Sequence, residues 1–220
     1  MTNPVVPMPS PQQDAGPVTR TSREAAALPS ILGMYAFAAA TFIVAANMAH
    51  WYGDVQSALV LFPLVLIFGG LAQFYAGARA SHTRDAIALA LHGTWGSFWT
   101  AFGILEILES TGRVARPQGI FPELGFWFIV VAAITWGITA ASRDNKGVTT
   151  LLALLAIGST LAAIAELAGM EWLRMLAGYF MIASALVAWY VATTLMMQFG
   201  RIRRAQPITS TAHSEPGRVA

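Results

Sequence analysis

The sequence predicts an all-α, polytopic membrane protein with six transmembrane helices. Three observations carry this. Of the 220 residues 56% are hydrophobic and only 11% charged, less than half the charged share of an ordinary soluble domain. The charges fall in short clusters, and the apolar stretches between them reach the ~20 residues that a helix needs to cross the hydrocarbon core. The alternating pattern of a transmembrane barrel is absent. Backbone groups in lipid must be satisfied within the segment, so these stretches are helices.

Residues 1–28 come first, with Pro4, Pro7, Pro9, Pro11 and Pro17 among Ser, Thr and Gln. This composition reads as a solvated, disordered tail. No apolar core precedes the first long hydrophobic run, so a cleaved signal peptide is not expected. The first span covers about Ile31–Tyr52 and holds Thr41 and Asn47. Thr41 can bond back to its own helix carbonyls. Asn47, four residues before Trp51, is either wet at the outer end or a polar contact on a path.

The second span runs from Ser57 to Gly77 or Arg79. Gly69, Gln73 and Gly77 recur every four residues and share one helix face, where glycines let backbones approach closely. Gln73 either bonds a neighbouring helix or forms a polar rung in a solute path, since its amide both donates and accepts. A basic turn with Arg79, His82, Arg84 and Asp85 follows.

The third span, Ala86–Leu108, carries His92-Gly93-Thr94-Trp95-Gly96-Ser97-Phe98-Trp99. Gly93 and Gly96 lie on one face, and His92, Trp95 and Trp99 on an adjacent one. Ionisable groups within a membrane face a bundle interior or a wet cavity. His92 is therefore either a neutral partner for another helix or a proton-responsive residue. Glu106 and Glu109 read as a solvated rim, or as a mouth that selects against anions. The fourth span is about Leu124–Ala141, the fifth Val148–Ala168 with Thr160, and the sixth Trp172–Phe199. Residues 201–220 form a second polar tail, so residues 29–200 are the membrane domain.

The loops set the orientation. Ten Lys and Arg residues lie in the two tails and in the second and fourth loops; only Arg113, Arg116 and Arg174 lie on the other side. The positive-inside rule puts both termini in the cytoplasm, which agrees with an even number of spans. Trp51, Tyr52, Trp127 and Trp172 near the outer span ends suit an interfacial belt.

Several classes of chemistry are excluded or unsupported. The chain has no cysteine, which rules out disulfides and thiolate metal sites. His92 has no second histidine or carboxylate at ligand spacing, so no metal or cofactor is expected. No Gly-x-Ser-x-Gly elbow, His-Glu-x-x-His pair or phosphate-binding glycine loop is present, and the chain does not read as an enzyme. The pI of 9.3 records membrane orientation, not nucleic-acid binding.

Gly69-Gly70-Leu71-Ala72-Gln73-x-x-Ala76-Gly77 is followed, after fifteen residues, by Gly93-x-Trp95-Gly96-Ser97-Phe98-Trp99. These paired motifs resemble the acetate uptake transporter family, which includes bacterial succinate–acetate permeases and fungal acetate and ammonia-export proteins. The resemblance covers residues 28–201 and extends to Ala188-Trp189-Tyr190 and Gln198-Phe199-Gly200-Arg201. It implies a six-helix protomer in a plasma-membrane homo-hexamer, with a path for small monocarboxylates through each protomer. It also implies a hydrophobic constriction of Phe37, Trp95 and Leu155, with Gln73 on the path.

The chain departs from that pattern at several positions. Of the family's Asn-Pro-Ala-Pro-Leu-Gly opening signature only Pro29, Leu32 and Gly33 survive. Trp95 stands where the family usually has tyrosine, and His92 where it usually has phenylalanine. The resemblance thus implies a monocarboxylate transporter or channel, acetate foremost, with proton coupling left open. Gln73, Thr41, His92 and Asn47 would line the path. The altered gate motivates a second reading, a channel for ammonia or another small neutral solute. A third is a membrane scaffold whose basic tails recruit a partner or anionic lipid.

Overall fold

A computed structural model describes residues 20–115 and 120–205, and among them every regular element is helical. The elements are α1 (Arg20–Met48), α2 (Val55–Leu64), a π-helical segment π1 (Val65–Ala72), α3 (Gln73–His82), α4 (Ala86–Ser110), α5 (Pro122–Ala141), α6 (Lys146–Ala168) and α7 (Glu171–Ala205). α2, π1 and α3 follow one another without a break and make the second of six rods. α1 and α7 therefore begin and end beyond the limits of the expected membrane domain, at Arg20 and Ala205. Residues 1–19 and 206–220, expected as the remainder of the tails, lie outside the described residues.

Five of the rods are long and apolar enough to cross a membrane. The sixth, α4, has 25 residues and so a length of about 37 Å, but polar side chains lower its hydropathy. Part of that polarity is answered locally: the Ser97 and Thr100 hydroxyls donate to the Gly93 and Gly96 carbonyls at 2.8 Å each. α4 falls short of the other five because it carries the interior side chains described below.

The chain sets its own helix limits. Asp54 caps α2 in a reciprocal box with Ser57, Asp85 caps α4 through the Ala88 N–H, and Asn145 caps α6 through the Val148 N–H; each side-chain oxygen takes up an otherwise orphaned first-turn donor. Gly169 ends α6 in the left-handed conformation at φ 63°, which costs glycine little.

The rods pack in chain order as a closed ring: α1 against π1 and α3, these against α4, then α5, α6, α7 and back to α1. Small residues bring the rods together, since helices in lipid associate through close packing. A Cβ on Gly178 of α7 would come 2.8 Å from the Ala45 carbonyl of α1, one on Gly158 of α6 would come 2.7 Å from Met181 of α7, and one on Gly125 of α5 would come 2.7 Å from Leu167 of α6.

The tightest seam joins the second rod to α4. Pro63 lacks the N–H of the regular ladder, and the wide π turns begin two residues later. They carry Gly69 and Gly70 into the crossing, where a Cβ on Gly69 would overlap Ala40 of α1 and come 3.1 Å from Trp99, and one on Gly70 would overlap the Thr100 hydroxyl. Gly77 and Gly96 extend the seam at 3.2 Å from the Gly93 nitrogen and Gln73 Cβ. Gly93 departs from the expected packing role. Its own Cβ position is open, and only its backbone nitrogen is approached. Gly69→Ala should lower stability by about 1–3 kcal/mol, because the new methyl meets two non-yielding neighbours. Thermal unfolding in lipid reads this, and an unshifted midpoint would refute the three-way crossing.

Candidate functional site

α1 and α4 run side by side in the same direction, so the interior can be followed level by level. On α1, Gly33, Phe37 and Thr41 fall at four-residue spacing, and on α4, His92, Trp95, Trp99, Phe102 and Glu106 fall at three- and four-residue spacing. Each set occupies one helix face. All eight are buried.

At the end nearer the chain termini, a cavity of about 360 Å³ is lined by Ser30, Met34, Asp85, Leu91, Ser142 and Asn145, among others. Above it lies His92. Its ring occupies the space that Gly33 leaves, and a Cβ on Gly33 would overlap the ring atoms. His92 Nδ1 pairs with Gln73 Oε1 at 3.4 Å across the α3–α4 seam. His92 Nε2 and Gln73 Nε2 are buried and have no protein partner.

The next levels are aromatic. Phe37 meets Trp95 edge to face, with ring centroids 6.1 Å apart. Trp95 also packs on Phe98 at 5.2 Å and on Trp99 at 5.7 Å, and Phe98 stacks on Phe102 at 5.5 Å and reaches Phe128 of α5 at 5.4 Å. Leu155 is fully buried in the same apolar cluster. The buried cluster therefore extends beyond the three side chains expected, with Phe98, Trp99, Phe102 and Phe128 contributing to it. The Phe98-Trp99-x-x-Phe102 spacing was the available signal for the first three.

Trp95 is also held from the far side. Its indole N–H donates to the Thr135 hydroxyl of α5 at 3.1 Å, and that hydroxyl donates to the Val131 carbonyl at 2.6 Å. Thr135 gave no motif in the sequence, being one of two threonines, with Thr139, in an otherwise apolar span. Thr135→Val should cost about 1–3 kcal/mol by leaving a buried N–H without an acceptor, whereas Thr135→Ser should restore the bond. Melting temperatures of the two variants test this, and equal losses would refute the latch.

Beyond the aromatic levels the bundle opens again. A cavity of about 650 Å³ at the loop end is lined by Asn47, Tyr52, Phe62, Glu106, Glu109 and Arg174, among others. It narrows beside Phe102 and Phe128 to a cleft of about 10 Å³ that Glu106, Glu166 and Arg174 border, about the space of one water. Glu106 departs from the expected solvated rim, being only 4% exposed, because α4 turns it inward on the face of Trp95 and Phe102. Glu166 pairs with Arg174 Nε at 3.3 Å, and Glu171 meets the same guanidinium at 3.6 Å. Asn47 is half-buried and donates to the Tyr52 carbonyl at 3.3 Å. The Tyr52 hydroxyl donates to the Ile43 carbonyl at 2.6 Å. Burial, reinforced by the Glu106 charge, pushes its pKa up to about 12, so it remains a donor.

Two further expectations are answered here. The Thr41 hydroxyl has no protein partner and does not bond back to its helix. Thr160 does, to the Ala156 carbonyl at 2.7 Å, and accepts the Trp136 N–H at 3.2 Å. Of the opening signature, Gly33 seats His92, Leu32 is half-buried, and Pro29 lies within α1.

The ring of membrane-length helices, with cavities at both ends of a buried aromatic cluster, defines a polytopic helical membrane protein. The chain belongs to the GPR1/FUN34/yaaH family, whose profile matches residues 11–202. It is similar to the succinate-acetate/proton symporter SatP of Escherichia coli strain K12, at 29% identity over 183 residues, 79% of this chain and 91% of that one. It is also similar to the ammonia transport outward protein 3 of Saccharomyces cerevisiae, at 25% identity over 167 residues, 74% of this chain and 60% of that one. Among solved structures the fold matches that of the bacterial acetate channel SatP with a TM-score of 0.72, at 19% identity, covering 81% of this chain and 97% of the other.

Proposed function

We propose that the protein moves small monocarboxylates, acetate foremost, across the plasma membrane along the axis of its own helix bundle. One observation carries the reading: buried hydrogen-bonding atoms without protein partners, Thr41 Oγ1, Gln73 Nε2, His92 Nε2 and Trp99 Nε1, lie in the apolar region between the two end cavities. Leaving such groups unmet in a core costs free energy, and a solute with both polar and apolar faces offsets that cost as it passes. Phe37, Trp95 and Leu155 form the neck that stops leakage, and Asn47 lies in the lining of the loop-end cavity. The bacterial relative's name, a succinate-acetate/proton symporter, supports both the cargo class and a coupled proton.

In this reading both termini face the cytoplasm, from the distribution of basic residues, and the protomers form a homo-hexamer. The exposed apolar residues Ile67, Phe68, Leu71, Phe74 and Tyr75 supply surface for lipid or a neighbouring copy. Native mass spectrometry in lipid tests the assembly, and monomer alone would refute it. Uptake of labelled acetate by proteoliposomes tests the function. Uptake no greater than in empty liposomes would overturn it. The yeast relative, named for ammonia transport, supports a second reading in which the solute is ammonia. Transport of ammonia insensitive to acetate, propionate and succinate would favour that one.

A further inference from the structure

We propose that Arg174 receives the carboxylate of the cargo where the loop-end cavity narrows, and that Glu171 competes with the cargo for the same guanidinium. The inference rests on the transport reading above and adds to it the residue that recognises the charged group of the cargo.

Arg174 lines both the loop-end cavity of about 650 Å³ and the cleft of about 10 Å³ into which it narrows. Among the described residues bordering these two spaces it is the only Lys or Arg. Its partners hold it loosely. Nε lies 3.3 Å from Glu166 Oε1 but is buried without a hydrogen bond. A terminal nitrogen lies 3.6 Å from Glu171 Oε1, beyond hydrogen-bond reach. The same oxygen is met more closely by His50 Nε2, at 2.5 Å. The Glu171 side chain is 56% exposed and that of Glu166 only 10%, so Glu171 is the partner that water can release. A guanidinium presents a planar fork of N–H donors that matches the two oxygens of a carboxylate. A carboxylate entering the cavity can therefore take the contact that Glu171 makes and leave Glu166 in place.

The rest of the throat suits a small monocarboxylate in transit. The cleft has about the space of one water, so a solute halts beside the guanidinium before it goes on. Phe102 and Phe128 border the same cleft and offer the apolar end of the solute an aromatic surface. Asp54, Glu106 and Glu109 also line the cavity, so it gathers no anion by net charge, and the guanidinium contact is what selects. A site on a path must bind strongly enough to admit a solute yet weakly enough to let it leave. One cation set among acids meets both demands. The cavity at the other end is lined by Asp85 and Asp144 and, among the described residues, by no Lys or Arg. The two ends are therefore unlike, and the loop end is the one that offers a carboxylate a guanidinium.

Uptake of labelled acetate by proteoliposomes over a range of concentrations tests the contact. Arg174→Gln combined with Glu166→Gln, which removes that ion pair as a unit, should raise KM about tenfold by deleting a charge-assisted hydrogen bond, with the maximal rate little changed. Arg174→Lys, which keeps the charge without the fork, should fall between. Glu171→Gln should lower KM about twofold to fivefold by removing the competitor. Its exposed position lets this variant decide the matter even where the double variant does not fold. A wild-type KM in the double variant, a fall in maximal rate with KM unchanged, or a KM raised by Glu171→Gln overturns the proposal. A second readout needs no transport. In lipid nanodiscs, the guanidinium resonances of nitrogen-15 arginine that are lost in Arg174→Lys should shift on addition of sodium acetate and not of sodium chloride. No shift, or an equal shift with chloride, overturns the proposal. If wild-type uptake merely equals that of empty vesicles, the transport reading fails instead, and the resonance shift alone decides whether Arg174 binds a carboxylate.

Discussion

Trp95→Ala should open the neck and relax selection by size. The substitution removes an indole that touches Phe37, Phe98 and Trp99 and donates to Thr135. Loss of a buried tryptophan costs about 3–5 kcal/mol, part of which reflects the cavity left behind. The cavity lies where the two end cavities would otherwise meet, so the stability loss comes with a gain in permeation. Acetate uptake should rise above wild type, and a bulkier carboxylate such as benzoate should begin to enter. Trp95→Phe should fall between, since it keeps an aromatic ring but loses the N–H. Parallel uptake of labelled acetate and benzoate, scaled to folded protein, reads the result. Unchanged rates for both would mean that the path does not run through Trp95.

Gly33→Ala should be the most damaging single methyl added to α1. Its Cβ would overlap three atoms of the His92 ring, and Gln73 and the α3–α4 seam leave the imidazole nowhere to retreat. Overpacking of this kind costs about 1–3 kcal/mol. The second variant makes the test specific: His92→Ala in the same chain should remove most of the penalty, giving a coupling of about 1–3 kcal/mol between the two sites. Unfolding midpoints of the wild type, both single variants and the pair complete the cycle. Additive effects would show that the two residues do not touch.

Much of the architecture was legible in the chain. Six apolar runs, read as helices, correspond to six rods, because lipid leaves a spanning backbone no other way to satisfy its polar groups. The four-residue spacing of Gly69, Gln73 and Gly77 marked the face of the second rod that forms the seam, which Gly96 meets from α4. The π-helical turns were not legible beyond Pro63, since the wide turn depends on what Gly69 and Gly70 must pass between. Nor was Gly93's open position. It stands only three residues from Gly96, but α3 crosses to one side of it.

The site was legible in part. His92, Gln73, Phe37 and Trp95 stood out as polar groups or aromatics in apolar or glycine-rich sequence, and the structure brings them into two successive levels. Thr135 and Glu166 gave no such signal, and Glu106 looked like solvated rim. A threonine in an apolar helix, or a glutamate near its end, looks the same whether it serves the interior or faces water.

By itself the sequence determined that the chain spans a membrane as helices and that the second and third rods carry polar side chains, Gln73 and His92, into apolar surroundings. These follow from composition and from periodicity within single segments. The tertiary structure decided that Gly33 makes room for His92, that Thr135 latches Trp95, and that Glu106 turns inward. Each of these depends on packing among helices far apart in the chain. Such contacts leave no period in the sequence, because their energy comes from fit between faces that meet only when the ring closes.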